Sequence, residues 1–336
     1  MALRAGAIRF NADSSQLELY DGNQWTGILA SSPDQRTGGG RGLFGGGCTS
    51  PGGSDDRHVN TIDFVTMSST GSCVDFGDLS ERRDFANAFA SKTRGFWAGG
   101  ADPGTTGKNE LDFVTIASKG DATDFGNLES SARTAGGMSD QTRGIIPCSG
   151  GGNVIEYITM STTGGIRDFG HTYVTAVSAG SVCSPTRGVM GGGDSPSYTN
   201  VMQYLIISTL GNTADFGDLT EVRGYLSGTG DSATRGLFAG GVNPNASPST
   251  RVNTIDYITI PTLGNAKDFG DLTEGSRAIG ATSDCNRAVF AHGGPGFTGD
   301  IDHVNIATTG NAMDFGDSTQ ARRGSSGCSN AHGGLG

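Results

Sequence analysis

Apolar residues occur in short clusters separated by Gly, Ser and Asn, and the clusters show no helical period. The segment NTIDYITI, residues 253–260, is typical: it is rich in β-branched and aromatic residues and bounded by turn-forming ones. Apolar side chains occur on both faces, Ile255 and Tyr257 on one and Ile258 and Ile260 on the other. A strand with this pattern is buried on both sides. Equivalent segments begin at Asn60, Glu110, Asn153, Asn200 and Asp302.

These strands belong to a repeat. The tripeptide Asp-Phe-Gly occurs six times, 44 to 53 residues apart, and a segment that begins with Arg and continues with apolar residues and Gly alternates with it one to one. The tripeptides begin at Asp75, Asp124, Asp168, Asp215, Asp268 and Asp314, and the Arg segments begin at Arg41, Arg94, Arg143, Arg187, Arg235 and Arg287. A period of this length is typical of propellers and solenoids.

A fourth element follows each tripeptide, as in VRGYLSGTG from Val222 and ARRGSSGCS from Ala321. Four short strands in about 48 residues, repeated six times, predict an all-β fold: a six-bladed β-propeller, in which radial repetition protects the sheet edges. The chain enters the ring at the Gly-Gly strand and ends on a strand of the fourth type. We therefore expect the last strand to complete the sheet that contains residues 41–79.

The order of elements resembles kelch repeats, in which a Gly-Gly strand, a Tyr strand, a large apolar residue and an Arg follow one another. The resemblance covers residues 41–336, with Phe in place of the usual Trp. The third repeat lacks the Arg in HTYVTAVSAG from His171, so we expect the third blade to be the least regular. In one repeat, the residues that match this order are Gly240, Gly241, Tyr257, Phe269 and Arg277.

Residues 1–30 differ from the repeat and are predicted to form a separate β-hairpin module, joined by a linker at 31–40 to the propeller at 41–336. Strands are expected at 7–10, 16–20 and around Trp25, with an Asp-Gly turn at 21–22. So few residues cannot bury a core alone, so docking or oligomerisation is expected, with Phe10, Leu17, Tyr20 and Trp25 as the attachment residues.

This module resembles short segments of tail-fibre and related structural proteins of tailed bacteriophages, and the propeller repeat looks like open reading frames of marine phages. The residues that carry the first resemblance are Gly6, Ile8, Phe10, Asn11, Leu17, Tyr20, Asp21, Gly22 and Trp25.

Composition agrees with a turn-rich β protein and narrows the function. The 58 glycines follow no collagen period, and the net charge of −11 disfavours binding of nucleic acid through a basic patch. No apolar run is long enough for a membrane span, and the first residues lack the apolar core of a signal peptide, so neither membrane insertion nor secretion by a leader is expected.

The residues that could carry chemistry have simpler structural explanations. Asp-Phe-Gly recurs in a β context without the other kinase motifs, so its Phe is expected to pack between blades and its Asp to cap a turn. The six repeated Arg residues are expected to bond carbonyl groups or Asp of the adjacent blade. The six scattered cysteines are interpreted as small buried side chains, and no His pair has metal-ligand spacing.

Differences between repeats point to a binding face. The loop before the Tyr strand is long in repeats one, two, five and six and nearly absent in repeat three. Such loops gather on one face of a propeller, and function in such folds usually lies on variable loops. The candidate binding residues are Asp55, Asp56, His58, Asp102, Lys108, Tyr198, Asn245, Arg251, Phe297 and Asp300.

The sequence therefore predicts a non-enzymatic phage virion protein, tail-fibre or baseplate-associated, located in the virion, without cofactor or metal. Residues 1–30 would bind other virion proteins, and the propeller loops would bind a host-surface glycan or protein; homo-oligomerisation stays open. Two alternatives also stay open. One is a capsid decoration or head-fibre protein without receptor binding, and the other is a carbohydrate-active enzyme with paired carboxylates on the same scaffold.

Overall fold

A computed structural model gives the fold and describes residues 4, 6–11, 16–20, 22–27, 40–49, 57–102, 107–133, 136–230, 234–294 and 297–335. The chain divides into two compact units, residues 1–38 and 39–336.

The first unit contains a three-stranded antiparallel sheet in the order β1-β2-β3. Its strands are β1 (Ile8–Asn11), β2 (Gln16–Tyr20) and β3 (Trp25–Gly27). Tyr20 pairs with Trp25 across β2 and β3, with ring centroids 5.3 Å apart, and the Arg9 guanidinium lies 4.2 Å from the Trp25 ring centroid. The predicted hairpin module is therefore present.

The second unit is a six-bladed β-propeller in which every blade is a four-stranded antiparallel sheet, as predicted. Blade 1 contains β27 (Ser326–Ser329), β4 (Arg41–Gly45), β5 (Thr61–Thr66) and β6 (Val74–Asp78). Blade 2 contains β7 (Asn87–Ala90), β8 (Arg94–Ala98), β9 (Glu110–Thr115) and β10 (Thr123–Asn127). Blade 3 contains β11 (Met138–Ser139), β12 (Arg143–Ser149), β13 (Val154–Thr159) and β14 (Arg167–His171). Blade 4 contains β15 (Gly180–Cys183), β16 (Arg187–Gly191), β17 (Val201–Ile206) and β18 (Ala214–Asp218). Blade 5 contains β19 (Ser227–Gly230), β20 (Arg235–Ala239), β21 (Thr254–Thr259) and β22 (Lys267–Asp271). Blade 6 contains β23 (Gly280–Ser283), β24 (Arg287–Ala291), β25 (Asp300–Asn305) and β26 (Met313–Asp317).

The first strand of each blade is innermost, and these six strands contact one another around the ring. The architecture is compatible with kelch-like repeats. Closure is confirmed as predicted, because β27 pairs with β4 from Ser326 opposite Gly45 to Ser329 opposite Gly42. Blade 1 therefore takes three strands from the start of the repeat region and one from its end.

The alternation of strand directions defines two faces. The upper face carries the loops between second and third strands and the connections from each blade to the next. The lower face carries the hairpin turns: both turns in blades 2 to 6, and in blade 1 the turn between β5 and β6, since β27 and β4 come from opposite ends of the repeat region. The strand ends that bound the unequal loops identified in the sequence all lie on the upper face.

The repeated Arg residues join neighbouring blades at the lower face, as predicted. Each guanidinium donates to a carbonyl at the end of the third strand of the next blade, and each stacks on an aromatic ring of its own blade at 4.6 to 5.8 Å. The Nη1-to-oxygen distances are 2.9 Å for Arg41 to Ile116, 3.0 Å for Arg94 to Met160, 2.7 Å for Arg143 to Ile207, 2.7 Å for Arg187 to Ile260, 2.8 Å for Arg235 to Ile306 and 2.9 Å for Arg287 to Met67.

The Asp-Phe-Gly tripeptide is an inter-blade contact and a bulge. Phe216 is 2% exposed and packs with Phe238 and Ile258 of the next blade. Gly217 has φ +142°, and a Cβ there would lie 2.6 Å from the carbonyl oxygen of Gly264, also in blade 5. Glycine is therefore needed both for the backbone conformation and for the close approach of two blades.

Blade 3 is the least regular blade in the described residues, as expected. Its inner strand β11 has two residues, and β12 contains a register shift between Ile146 and Ser149 with Cys148 at φ +57°. All six cysteines are free thiols; four are buried and Cys183 and Cys285 are partly buried.

Replacing Phe216 by Ala should lower the free energy of unfolding by about 3 to 5 kcal/mol, because the change leaves a cavity between blades 4 and 5. Tyr173→Ala is the matched control, since that ring is 66% exposed and its loss should change stability by about 0.5 kcal/mol or less. Urea unfolding of the three proteins measures both values, and equal losses would contradict the packing role of Phe216.

Candidate binding face

A path of four backbone hydrogen bonds follows the central channel on the upper face. The residues concerned lie two positions before the inner strands, and each donor bonds the carbonyl of its counterpart in the preceding blade. The described bonds run from Phe85 to Gly324, Gly324 to Ala278, Ala278 to Tyr225 and Tyr225 to Ser178, at 2.7 to 2.9 Å. We call these five residues the mouth of the propeller.

Two aromatic rings meet across this mouth. Phe85 precedes blade 2 and Tyr225 precedes blade 5, three blades away, yet their ring centroids lie 6.2 Å apart. Both residues have positive φ, 53° and 56°, a conformation unfavourable for large side chains. The hydrogen bonds of the mouth hold them in this conformation, so that both rings stand over the channel.

Beneath the rings lies a cavity of about 120 Å³, lined mainly by Gly, Ser, Ala and Thr of the inner strands. Its lower end is occupied by His332, whose Nε2 lies 2.9 Å from the carbonyl oxygen of Ala90 and whose Nδ1 accepts the N–H of Gly334. Leu335 is buried beside it. The segment after β27 therefore closes the channel from below, which leaves the upper face as the side from which a ligand can approach.

Guanidinium groups surround the aromatic rings of the upper face. Arg277 lies 6.0 Å from the Tyr225 ring centroid and Arg323 lies 5.1 Å from that of Phe297. On the other side, Arg133 lies 5.8 Å from the Phe85 ring centroid. These Arg residues belong to the inter-blade connections and are distinct from the six repeated Arg residues of the lower face.

The charges of this region perturb one another. Burial lowers the pKa of Arg251, and the positive charges of Arg277 and Arg323 lower it further. Burial raises the pKa of Asp84, a shift that the neighbouring His58, Arg133 and Arg323 oppose.

The pKa of Tyr225 is raised by burial and then by the hydrogen bond and negative charge of Asp194. Charged groups from several connections of the upper face therefore influence one another.

The connections between blades, which contain the residues of the mouth, are held in place by a buried polar residue at one position of each third strand. The residues there are all at most 2% exposed, and each accepts a hydrogen bond from the backbone of the preceding connection. They are Asp63, Asp112, Glu156, Gln203, Asp256 and Asp302. In blade 5, for example, Asp256 accepts from both the N–H and the Oγ1 of Thr220.

In three connections a buried Arg completes the anchor. The Nη2-to-Oδ2 distance is 2.6 Å for Arg83 and Asp112, 2.9 Å for Arg223 and Asp256, and 3.2 Å for Arg322 and Asp63. Burial lowers the pKa of each of these Arg residues, and the paired carboxylate opposes the shift. The Arg side chains also donate to backbone carbonyls, such as Arg223 to those of Phe238, Gly240 and Thr254.

The other blades replace the pair in different ways. In blade 4 the connection has Ala176 and the strand has Gln203, a neutral side chain whose amide donates to Val174 and accepts from Thr213. In blade 6, His292 takes the place of Arg at 2.8 Å from Asp302. Burial acts to raise the pKa of Asp302, but the hydrogen bond and charge of His292, together with the hydrogen bonds from Thr273, outweigh it and hold that pKa below its usual value.

Blade 3 keeps an acid without such a cation among the described residues. Ala132 occupies the connection, and burial raises the pKa of Glu156. Its Oε1 accepts the N–H of Glu129 at 2.8 Å.

The structure brings four of the predicted binding residues into this region. His58 is buried, with Nε2 3.4 Å from Asp84 Oδ2, so it supports the face from inside. Arg251 and Phe297 belong to the cluster described above, and Tyr198 is half-buried close enough to influence Tyr225.

The other predicted residues that the structure describes take no part in the contacts given for that cluster. Lys108 bonds Glu81 at 2.7 Å, with Asp102 and Glu110 within 4.0 Å, which makes a local ion-pair group. Asn245 and Asp300 are exposed. Asp55 and Asp56 lie outside the described residues, as do the side chains of Phe10 and Leu17 in the N-terminal sheet.

Sequence reasoning missed Phe85, Tyr225 and the connection Arg residues. The usable signal was a large aromatic residue at a position where other repeats have Ser178, Ala278 or Gly324. That signal requires an alignment of the repeats at the connections, which are their least similar part.

No protein family model and no curated protein matches this chain. Within the described ranges, no group of three or more His, Cys, Asp or Glu side chains is placed to hold a metal ion. Nor do the described residues contain a helix with the length and apolarity needed to cross a membrane.

Replacing Arg223 by Ala should lower the free energy of unfolding by about 3 to 5 kcal/mol, because it leaves the Asp256 carboxylate buried without its cation. Adding Asp256→Gln should recover a substantial part of that loss, since Ala176 and Gln203 form this neutral combination in blade 4. Thermal and urea unfolding of the single and double variants measure the recovery. A double variant no more stable than Arg223→Ala would contradict the anchoring role of the pair.

Proposed function

We propose that this protein is a phage virion component, tail-fibre or baseplate-associated, that binds the host surface with the upper face of its propeller. The observation that carries the proposal is the asymmetry of the two faces. The lower face repeats the same Arg bridges and short turns six times, whereas the upper face combines unequal loops with aromatic and cationic residues. A unique patch of this kind on a rigid scaffold is suited to recognition.

The phage assignment is supported by the resemblance of residues 6–25 to tail-fibre modules and of the repeat to marine phage sequences. The N-terminal sheet adds a physical argument. A three-stranded sheet of this size has too little area to bury a core, and Ile8 and Leu19, paired on neighbouring strands, are 61% and 38% exposed. We assign to this module the role of attaching the protein to the particle.

A binding role is favoured over catalysis by the composition of the upper face. Two described acids near the mouth have structural partners: Asp84 faces His58, and Glu274 accepts from Thr298 Oγ1 at 3.2 Å. The cluster therefore offers Arg edges and aromatic rings to a ligand more readily than a pair of acid and base carboxylates.

Substituting Asn245 or Phe297 by Ala should reduce adsorption of particles to host cells, by about tenfold where the residue is a central contact. Both side chains lie on upper-face loops, so the change removes contact area without touching the lower-face bridges. Leu210→Ala, in an exposed turn of the lower face, is the control that should leave adsorption unchanged. Equal adsorption of all variants, each incorporated normally, would instead favour a decoration protein without receptor binding.

Deleting residues 1–30 should leave the propeller folded and abolish its incorporation into particles. The propeller should persist because its six sheets are formed entirely by residues 41–329. Circular dichroism of the purified variant and immunoblotting of purified particles measure the two outcomes. Normal incorporation would show that attachment uses another part of the chain.

A further inference from the structure

The upper face concentrates cations on a protein whose net charge is −11. Four guanidinium groups surround the mouth: Arg133, Arg251, Arg277 and Arg323. The acids that face them are Asp84, which is buried against His58, Asp194, which interacts with Tyr225, and Glu274, which accepts from Thr298. Like charges gathered in this way are unfavourable in the free protein and become favourable when an anion binds between them.

Two of these groups, Arg277 and Arg323, present their hydrogen-bonding edges to a ligand. Arg277 and Arg323 lie over aromatic rings, and a stacked guanidinium uses its face while its N–H groups point outward in the plane. Among the described residues, the Nε of Arg323 is buried and has no hydrogen-bond partner. A buried donor without an acceptor is destabilising, and an anionic ligand would supply the acceptor.

The aromatic side chains indicate what else the ligand contains. Phe85 and Tyr225 are held in left-handed backbone conformations at the mouth, and Phe297, also at φ +54°, lies beside Arg323. Ser178, Ala278 and Gly324 share this conformation at the mouth, so the conformation belongs to the repeat, and what distinguishes Phe85 and Tyr225 is the ring that each places there. Planar rings next to Arg edges suit a ligand with an apolar ring face and an anionic substituent.

We propose that the mouth of the propeller binds an acidic saccharide, its anionic group between Arg251, Arg277 and Arg323 and a sugar ring against Tyr225 or Phe297. The inference rests on the proposed host-surface role, because it names the class of surface ligand that the same face would recognise. The strongly negative remainder of the protein disfavours long polyanions such as nucleic acid, so recognition is confined to a short acidic segment.

The test is calorimetric titration of the full-length protein with three oligosaccharides of equal length: an oligogalacturonate, a sulfated glucan and the neutral glucan. We expect binding of at least one acidic oligosaccharide and none of the neutral one, and the two acidic arms distinguish carboxylate from sulfate. Arg277→Gln and Arg323→Gln should each weaken that binding by about tenfold or more, the loss expected when a charged hydrogen-bonding contact is removed. Added salt should weaken it as well.

Arg167→Gln is the matched control, because Arg167 is exposed at the lower-face end of β14 and its loss removes the same charge. Thermal unfolding verifies that every variant is folded. Tyr225→Leu keeps an apolar side chain but removes the ring, and it should weaken binding without changing its salt dependence. Failure of both acidic oligosaccharides to bind, equal binding of the neutral one, or equal weakening by Arg167→Gln would overturn the proposal.

The same variants separate this inference from the proposed function. If the protein binds an acidic saccharide but Arg277→Gln particles adsorb normally, the site stands and the host-binding role fails. If Asn245→Ala lowers adsorption while no acidic saccharide binds, host binding stands and the ligand class is wrong.

Discussion

The hydrogen bond between a buried polar residue on each third strand and the connection from the preceding blade is the interaction on which the rest of the molecule depends. Apolar contacts between blades are non-directional and allow a sheet to slide or tilt. A buried acceptor that must be satisfied fixes the connection to the strand in one position. Because the connection leads directly into the inner strand, this bond also sets where Phe85 and Tyr225 stand at the mouth.

The repeats show how such an anchor changes without loss of the fold. The structure shows three combinations: Arg223 with Asp256, His292 with Asp302, and the neutral pair Ala176 and Gln203. In each of them the buried acceptor keeps its hydrogen bond to the connection, and an acid is kept only where a charged or titratable side chain lies beside it. Glu156 is the exception, and burial raises its pKa as expected for a carboxylate without a cation. A comparison of the blades therefore shows which pairs of residues can replace one another at these two positions.

Features that recur six times could be predicted from the sequence, whereas the contacts of the upper face, which differ from blade to blade, could not. The lower-face Arg residues and the Phe of Asp-Phe-Gly were interpreted correctly because each copy supports the same explanation, a carbonyl partner for the Arg and a ring between blades. The turn expected at the tripeptide was wrong, because the tripeptide lies inside the fourth strand, where a bulge occurs. The pairing of β27 with β4 followed from a strand left over at the end. The mouth was missed because Phe85 and Tyr225 are 140 positions apart in the chain. They come together only because the blades close into a circle. His58 was expected on an exposed loop, but its buried contact with Asp84 depends on a neighbouring blade.

The pairing that completes blade 1 also has a kinetic consequence. Strand β4 is synthesised before any other strand of the propeller, yet its inner edge has no partner until Ser326–Ser329 have left the ribosome. Blades 2 to 6 can each form as a local unit while translation proceeds, whereas blade 1 waits with an exposed strand edge. Premature termination within the last blade would thus yield a chain with nearly all of its local contacts and no closed ring, a species prone to pair with its own copies.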